Sequence, residues 1–280
     1  MYIIIVKFNY QSMRRFISLL WWVFAIVFTI AIASYQRITG PTYPKDSTVS
    51  ISNSELKFKL IRTHGDGDAE INLFIPNKEI KGKITFKRYK SFDTLTIADM
   101  VRKGDNLSFS LPHQPPAGKI EYSVSLDNGL QKVNLSPEPV VIRFTGKVPL
   151  FILIPHILMM FLAMLFSTRT GIEAIIKGSR TFNYTTWTVI FFFVGGFILG
   201  PLVQYYAFGA FWTGWPFGGD MTDNKTLIAL LFWLIAFFVL RKHPENRLWP
   251  ILASIVMLMA YLIPHSFLGS EIDHTKMPKV

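Results

Sequence analysis

The chain has 280 residues, of which 50% are hydrophobic, 15% aromatic and only 17% charged, with a formal net charge of +11 and no cysteine. That composition excludes a disordered chain and a collagen-like fibre, and the missing thiols exclude disulfide scaffolds, iron–sulfur clusters, c-type haem, thiol catalysis and Cys-ligated zinc. It points to a membrane protein with one water-soluble part.

Residues 1–15 read as an N-terminal segment carrying Lys7, Arg14 and Arg15. The first apolar stretch is Phe16–Ser34, which has the length expected of a transmembrane helix and no charge. A cleaved signal peptide is the alternative, with Ala31-Ile32-Ala33 as the small-residue site. The stretch is longer than a usual signal core and contains Trp21 and Trp22, which favours a retained anchor.

Residues 35–147 change character, with charged residues alternating with Ile, Val, Leu, Phe and Tyr. Period-two runs at 55–62, 69–75, 79–88, 106–111, 119–126, 129–135 and 140–144 predict about seven strands. Turn signals separate them, including Asp127-Asn128-Gly129 and Pro115-Pro116-Ala117-Gly118. The expected fold is an all-β sandwich, with Leu95–Val101 as a short helical crossover.

Four further spans follow, at 148–166, 187–206, 226–240 and 248–264, leaving 265–280 as a tail. The expected architecture is a membrane α-helical bundle of five transmembrane helices, four of them a membrane domain over 148–264, plus the β-sandwich. Orientation follows from Lys and Arg. Three segments share one side: residues 1–15, the loop with Arg169, Lys177 and Arg180 against Glu173, and the loop with Arg241, Lys242 and Arg247 against Glu245. On the other side Arg37, Lys225, Lys276 and Lys279 are balanced by Asp220, Asp223, Glu271 and Asp273. The N-terminus is therefore expected to be cytoplasmic, with 35–147 and the C-terminus outside an inner membrane. The positive excess records orientation and gives no sign of nucleic-acid binding.

Leu111–Val124 (LPHQPPAGKIEYSV) resembles the corner of fibronectin-type-III and immunoglobulin-like modules, where a proline-rich turn precedes a strand with a buried Tyr, here Tyr122. With the junction Tyr35–Pro44 and the loop Phe211–Lys225, the chain resembles a family of bacterial polytopic membrane proteins with one extracytoplasmic β domain of that kind. The resemblance implies no particular activity; such modules bind partners or act as spacers.

Polar residues within spans raise a functional expectation. His156 lies within the second span, Gln204 near the end of the third and His265 after the fifth, with Asp220, Asp223 and Asn224 in the loop before the fourth. All fall toward the same face, so packing could gather His156, Gln204, Asn224 and His265 into a polar cavity. His156, His265, Asp220 and Asp223 would be candidate ligands of a metal ion. Haem with two axial histidines and a proton- or quinone-linked histidine are variants of that idea. The plain alternative is that His156 bonds a neighbouring helix and holds the bundle together. Trp212, Trp215 and Phe217 crowd the loop 204–225, which reads either as an interfacial aromatic belt or as a loop that docks the β domain. Nucleotide-binding glycine motifs and hydrolase elbows do not occur. The expected role is a non-enzymatic accessory or assembly protein whose β domain binds a protein partner, in a lipid bilayer. A membrane-embedded metal or redox site is the alternative, and a small transporter or channel the third option.

Overall fold

The computed structural model describes residues 2–52, 54–264 and 269–276. They form two compact units, one of Met1–Thr39, Pro149–Val203 and Phe211–Leu268, the other of Gly40–Val148, Gln204–Ala210 and Gly269–Val280.

The first unit is helical. Its elements are α1 (Tyr2–Thr39), α2 (Leu150–Ile175), α3 (Thr181–Phe193), a π-helical stretch at Val194–Leu199, the first residues of α4 (Gly200–Phe208), whose part from Gln204 on belongs to the other unit, α5 (Met221–Lys242) and α6 (Leu248–Leu262). Val194 and Gly200 both keep right-handed helical dihedrals, so α3, the π stretch and α4 are one continuous rod. Four of the five rods are long and apolar enough to cross a membrane: Met13–Thr39, Leu150–Ile175, Thr181–Phe208 and Met221–Lys242. α6 is apolar but only 15 residues long, about 22 Å at 1.5 Å per residue against a hydrocarbon thickness of about 30 Å. It stops because Pro264 disfavours helical geometry at the preceding residue, and Ile263 is extended with ψ 119. α5 begins on an Asp220 side chain that accepts from Thr222 N at 2.8 Å, and ends with Arg241 and Lys242 at the negative end of its dipole.

Small residues set the helix spacing. Ala163 on α2, Ala229 and Ala236 on α5 and Ala253 on α6 are fully buried, and close approach gives the dispersion contacts that hold apolar helices together in lipid. Trp233 fills the space they leave, with no exposed surface, and its Nε1 donates to Met257 Sδ at 3.0 Å. α1 is tied in by Trp22, packed edge-on against Phe166 and Tyr184, and by Gln36, whose amide donates to Tyr261 O at 2.8 Å.

The second unit is β-rich. Its strands are β1 (Lys45–Ile51), β2 (Ser54–Leu60), β3 (Thr63–His64), β4 (Ala69–Phe74), β5 (Lys81–Arg88), β6 (Thr96–Asp99), β7 (Val101–Lys103), β8 (Asn106–Leu111), β9 (Lys119–Asp127), β10 (Lys132–Asn134) and β11 (Val140–Phe144). They form a β1-β2 hairpin, a six-stranded sheet ordered β3-β11-β9-β5-β6 with β10 also on β9, and a three-stranded sheet ordered β4-β8-β7. Every expected run carries a strand, and β1, β3, β6 and β7 are additional. The expected helical crossover at Leu95–Val101 is instead β6, Met100 and β7. Thr96, Ile97 and Val101 are β-branched, and β6 pairs with β5 through Ile84↔Ala98 and Thr85↔Ile97.

Alternation builds the core without disulfides. β9 turns Ile120, Tyr122, Val124 and Leu126 inward, and β4 turns Ala69, Ile71 and Leu73 inward, against Ile84, Leu111, Ile142 and Phe144. The Tyr122 hydroxyl reaches across to donate to Ile61 O at 2.9 Å. Tyr122→Phe keeps the ring and strips the bond, so it is expected to cost about 1 kcal/mol, read as a lower denaturant midpoint of the full chain in mild detergent.

Two later pieces of chain complete this unit. Gly146 N donates to Ala207 O at 2.9 Å, and the Arg143 guanidinium lies 3.9 Å from the centre of the Phe208 ring. An added Cβ at Gly146 would meet the Tyr206 carbonyl oxygen at 2.2 Å, so only glycine admits this approach. From the tail, Glu271 pairs with Lys90 and with Lys119, and Ile272 N donates to Ala117 O. Arg143 also donates to Ser270 O.

Candidate functional site

His156 sits one residue beyond Pro155 in α2 and bonds Gly195 O at 2.9 Å through Nδ1. A carbonyl can only accept, so Nδ1 carries the proton. The π stretch explains the partner: Gly200 N bonds Gly195 O across five residues, and the widened turn leaves that oxygen available to a side chain from the next helix. Gly200 lies close by, where a Cβ would stand 3.7 Å from the imidazole Cε1. His156 thus joins α2 to the α3–α4 rod.

Asp220, Asp223, Asn224 and Lys225 form a different cluster, around the loop before α5. The Asp223 carboxylate accepts from Thr213 N at 2.7 Å and Gly214 N at 2.9 Å. Asp220 caps the helix and also accepts from the Thr213 hydroxyl at 3.2 Å. Asn224 Oδ1 accepts from Trp215 N at 2.6 Å, and Lys225 Nζ donates to Ile263 O at 2.5 Å. Asp220, Asp223 and Lys225 are all buried. These groups fold the loop over the helix start, satisfying backbone donors that would otherwise be lost to solvent.

Among the described residues no group of three His, Asp or Glu side chains could hold a metal ion. His156 is engaged with Gly195, the two aspartates with loop backbone, and His265 lies outside the described residues. Gln204 belongs to the β-rich unit, whereas Trp212, Trp215 and Phe217 belong to the helical one. Trp212 packs on Phe197 and donates to Trp215 O at 3.1 Å, while Trp215 and Phe217 are exposed.

The β-rich unit has an exposed edge that mixes apolar and charged side chains. β6 ends the six-stranded sheet and β7 ends the three-stranded one, with only Met100 between them. Leu95, Ile97 and Val101 along this segment are 61%, 68% and 60% exposed. The approach to β6 is fixed by Arg88, whose guanidinium grips Asp93 at 2.7 and 2.8 Å. That bidentate hydrogen bond pulls the Asp93 carboxyl down to about 2. The clamp therefore holds throughout the physiological range and opens only as pH falls from the ordinary carboxylate range toward that value.

At the other end of the helical unit lies a cavity of about 610 Å³, formed by α1, the end of α2 and the turn into α3. Arg14, Arg15, Arg169, Lys177 and Arg180 line it against a single carboxylate, Glu173. Arg169 is 2% exposed and pairs with Glu173 at 2.7 Å, one helical turn on. Its guanidinium faces the rings of Tyr184 and Trp22, at 5.0 and 5.7 Å. Glu173 also accepts from Arg180 N at 3.1 Å, and Gly178 packs so tightly on this carboxylate that a Cβ would overlap it. Among the described residues the Arg169 Nε has no hydrogen-bond partner. The sequence signal for this site is the Arg169/Glu173 spacing of four, which on a helix puts both on one face.

No protein-family model, curated protein or solved structure matches the chain.

Proposed function

We propose that the chain is a non-enzymatic integral membrane protein, an accessory or assembly component whose β-rich unit binds a protein partner. The observation that carries this reading is the β6–β7 segment. Two sheet edges meet there, and Leu95, Ile97 and Val101 stand in solvent. Exposed edge strands that carry apolar side chains invite pairing with another chain, and the charges on this one, Asp99, Arg102 and Lys103, engage Lys83, the Ile75 and Ile80 carbonyls and Glu70 of the same unit. The Arg88–Asp93 clamp presents this edge in one conformation, which lowers the ordering cost of binding.

In this reading the chain crosses an inner membrane five times, with the N-terminus cytoplasmic and an immunoglobulin- or fibronectin-III-like sandwich outside. Connectivity within the β-rich unit supports it. Residues 204–210 and 269–276 join 40–148 in that unit; two helical rods separate the first piece from the second, and two more the second from the third.

Affinity purification of the full chain in gentle detergent tests the proposal. A stoichiometric protein is expected with the natural sequence and is lost with Leu95→Lys/Ile97→Lys, two changes at exposed positions that leave the monomer's thermal stability within about 0.5 kcal/mol. A solitary monomer, or the same companions with the variant, would sink it.

A further inference from the structure

We infer that the basic cavity of the helical unit binds a phosphate-bearing anion, with Arg169 as its innermost donor. The inference stands independently of the partner proposed for the β6–β7 edge. Five basic side chains and one acidic one line the cavity, and the acid is already committed: Glu173 holds Arg169 with one oxygen and Arg180 N with the other. Glu173 is the one carboxylate among the cavity's lining residues.

Arg169 gives the second, independent indication. A guanidinium 2% exposed, with its Nε left without a hydrogen-bond partner, is a costly thing to keep in a low-dielectric interior. A phosphate oxygen would satisfy that donor, and the planar fork of arginine matches phosphate geometry. Several cations approaching from α1, α2 and the turn from α2 into α3 suit a tetrahedral polyanion better than a flat, singly charged carboxylate.

The volume and the walls favour a phosphate carried on something larger. About 610 Å³ is within the usual range of small-molecule sites, far more than a bare phosphate fills. Ile17, Trp21 and Ile176 supply an apolar wall beside the cations. Arg14 and Arg15 stand at the start of the apolar stretch Met13–Thr39, and Arg169 is in the last turns of α2. These are the levels at which lipid headgroups meet membrane helices. The chemistry is that of an anionic phospholipid headgroup or a free phosphate, and the experiment separates the two.

The full-length protein, purified in an uncharged detergent, is exchanged with dioleoylphosphatidylglycerol or dioleoylphosphatidylcholine and weighed by native mass spectrometry. In parallel its thermal unfolding is followed with and without millimolar inorganic phosphate. Preferential retention of phosphatidylglycerol assigns the lipid; stabilisation by inorganic phosphate without lipid preference assigns the free anion. Whichever ligand responds, its binding is expected to weaken about tenfold or more in Arg14→Ala/Lys177→Ala/Arg180→Ala. All three positions are exposed, so the variant keeps its fold. Arg169→Lys, which preserves charge but removes Nε, is expected to weaken the same binding. Equal retention of the two lipids with no response to phosphate overturns the inference, as does a triple variant that binds like the parent.

Discussion

Glu173→Gln is expected to lower the stability of the helical unit by about 3–5 kcal/mol. The cost comes from what is left behind. Arg169 is 2% exposed, enclosed by Trp22 and Tyr184, and its only carboxylate partner is the one removed. A guanidinium cannot shed its proton to escape, as a lysine could. The glutamine amide keeps one acceptor but no charge, and the bond from Arg180 N competes for it. The check is thermal unfolding of the full chain in mild detergent, followed by loss of the monodisperse species. Arg169→Met/Glu173→Leu removes both charges and is expected to recover most of the loss, because an apolar pair avoids the desolvation penalty altogether. If the single and double variants melt together, the pair is not the source of the effect.

Trp233→Ala is expected to cost about 3 kcal/mol, the low end for an aromatic truncation. In a water-soluble core both the transfer free energy and the cavity would count. Between membrane helices the first largely drops out, since lipid is as apolar as the bundle. What remains is the void and the lost dispersion contacts, and here the neighbours cannot collapse to fill it. Ala229 and Ala236 on its own helix and Ala253 on the facing α6 are already small. The bond from Nε1 to Met257 Sδ goes as well. Trp233→Phe should recover about half the loss, and the same detergent melt measures both.

Much of the fold is legible in the sequence because its two periodicities differ. Uncharged apolar runs give the membrane helices, and strict alternation gives β4, β5, β8, β9 and β11. The extension of α2 to Ile175 is not legible by hydropathy, since Arg169 and Glu173 end the apolar window while neutralising each other on one helical face. β3 and β7 have two and three residues and exist through pairing with β11 and β8, which no local pattern announces. The site is harder still. His156 stands out as a polar residue in an apolar run, yet its partner is a carbonyl within a π stretch that also accepts from Gly200 N, a matter of backbone geometry. Asp220 and Asp223 read as ligands by type; their function as loop acceptors depends on Thr213 and Gly214 turning back toward them.

The tail's contacts with Lys90, Lys119, Arg143 and Ala117 set an order of events during synthesis. Residues 40–148 emerge first, but the carboxylate that joins Lys90 to Lys119 arrives about 120 residues later. At a translation rate of about 5–20 residues per second, that is a delay of about 6–25 s. Throughout it, two lysines of the β-rich unit lack this counter-charge, and the strip that Ile272 will cover stays bare. The unit is completed only once residues 269–276 have followed α6, so its surface differs before and after that segment arrives.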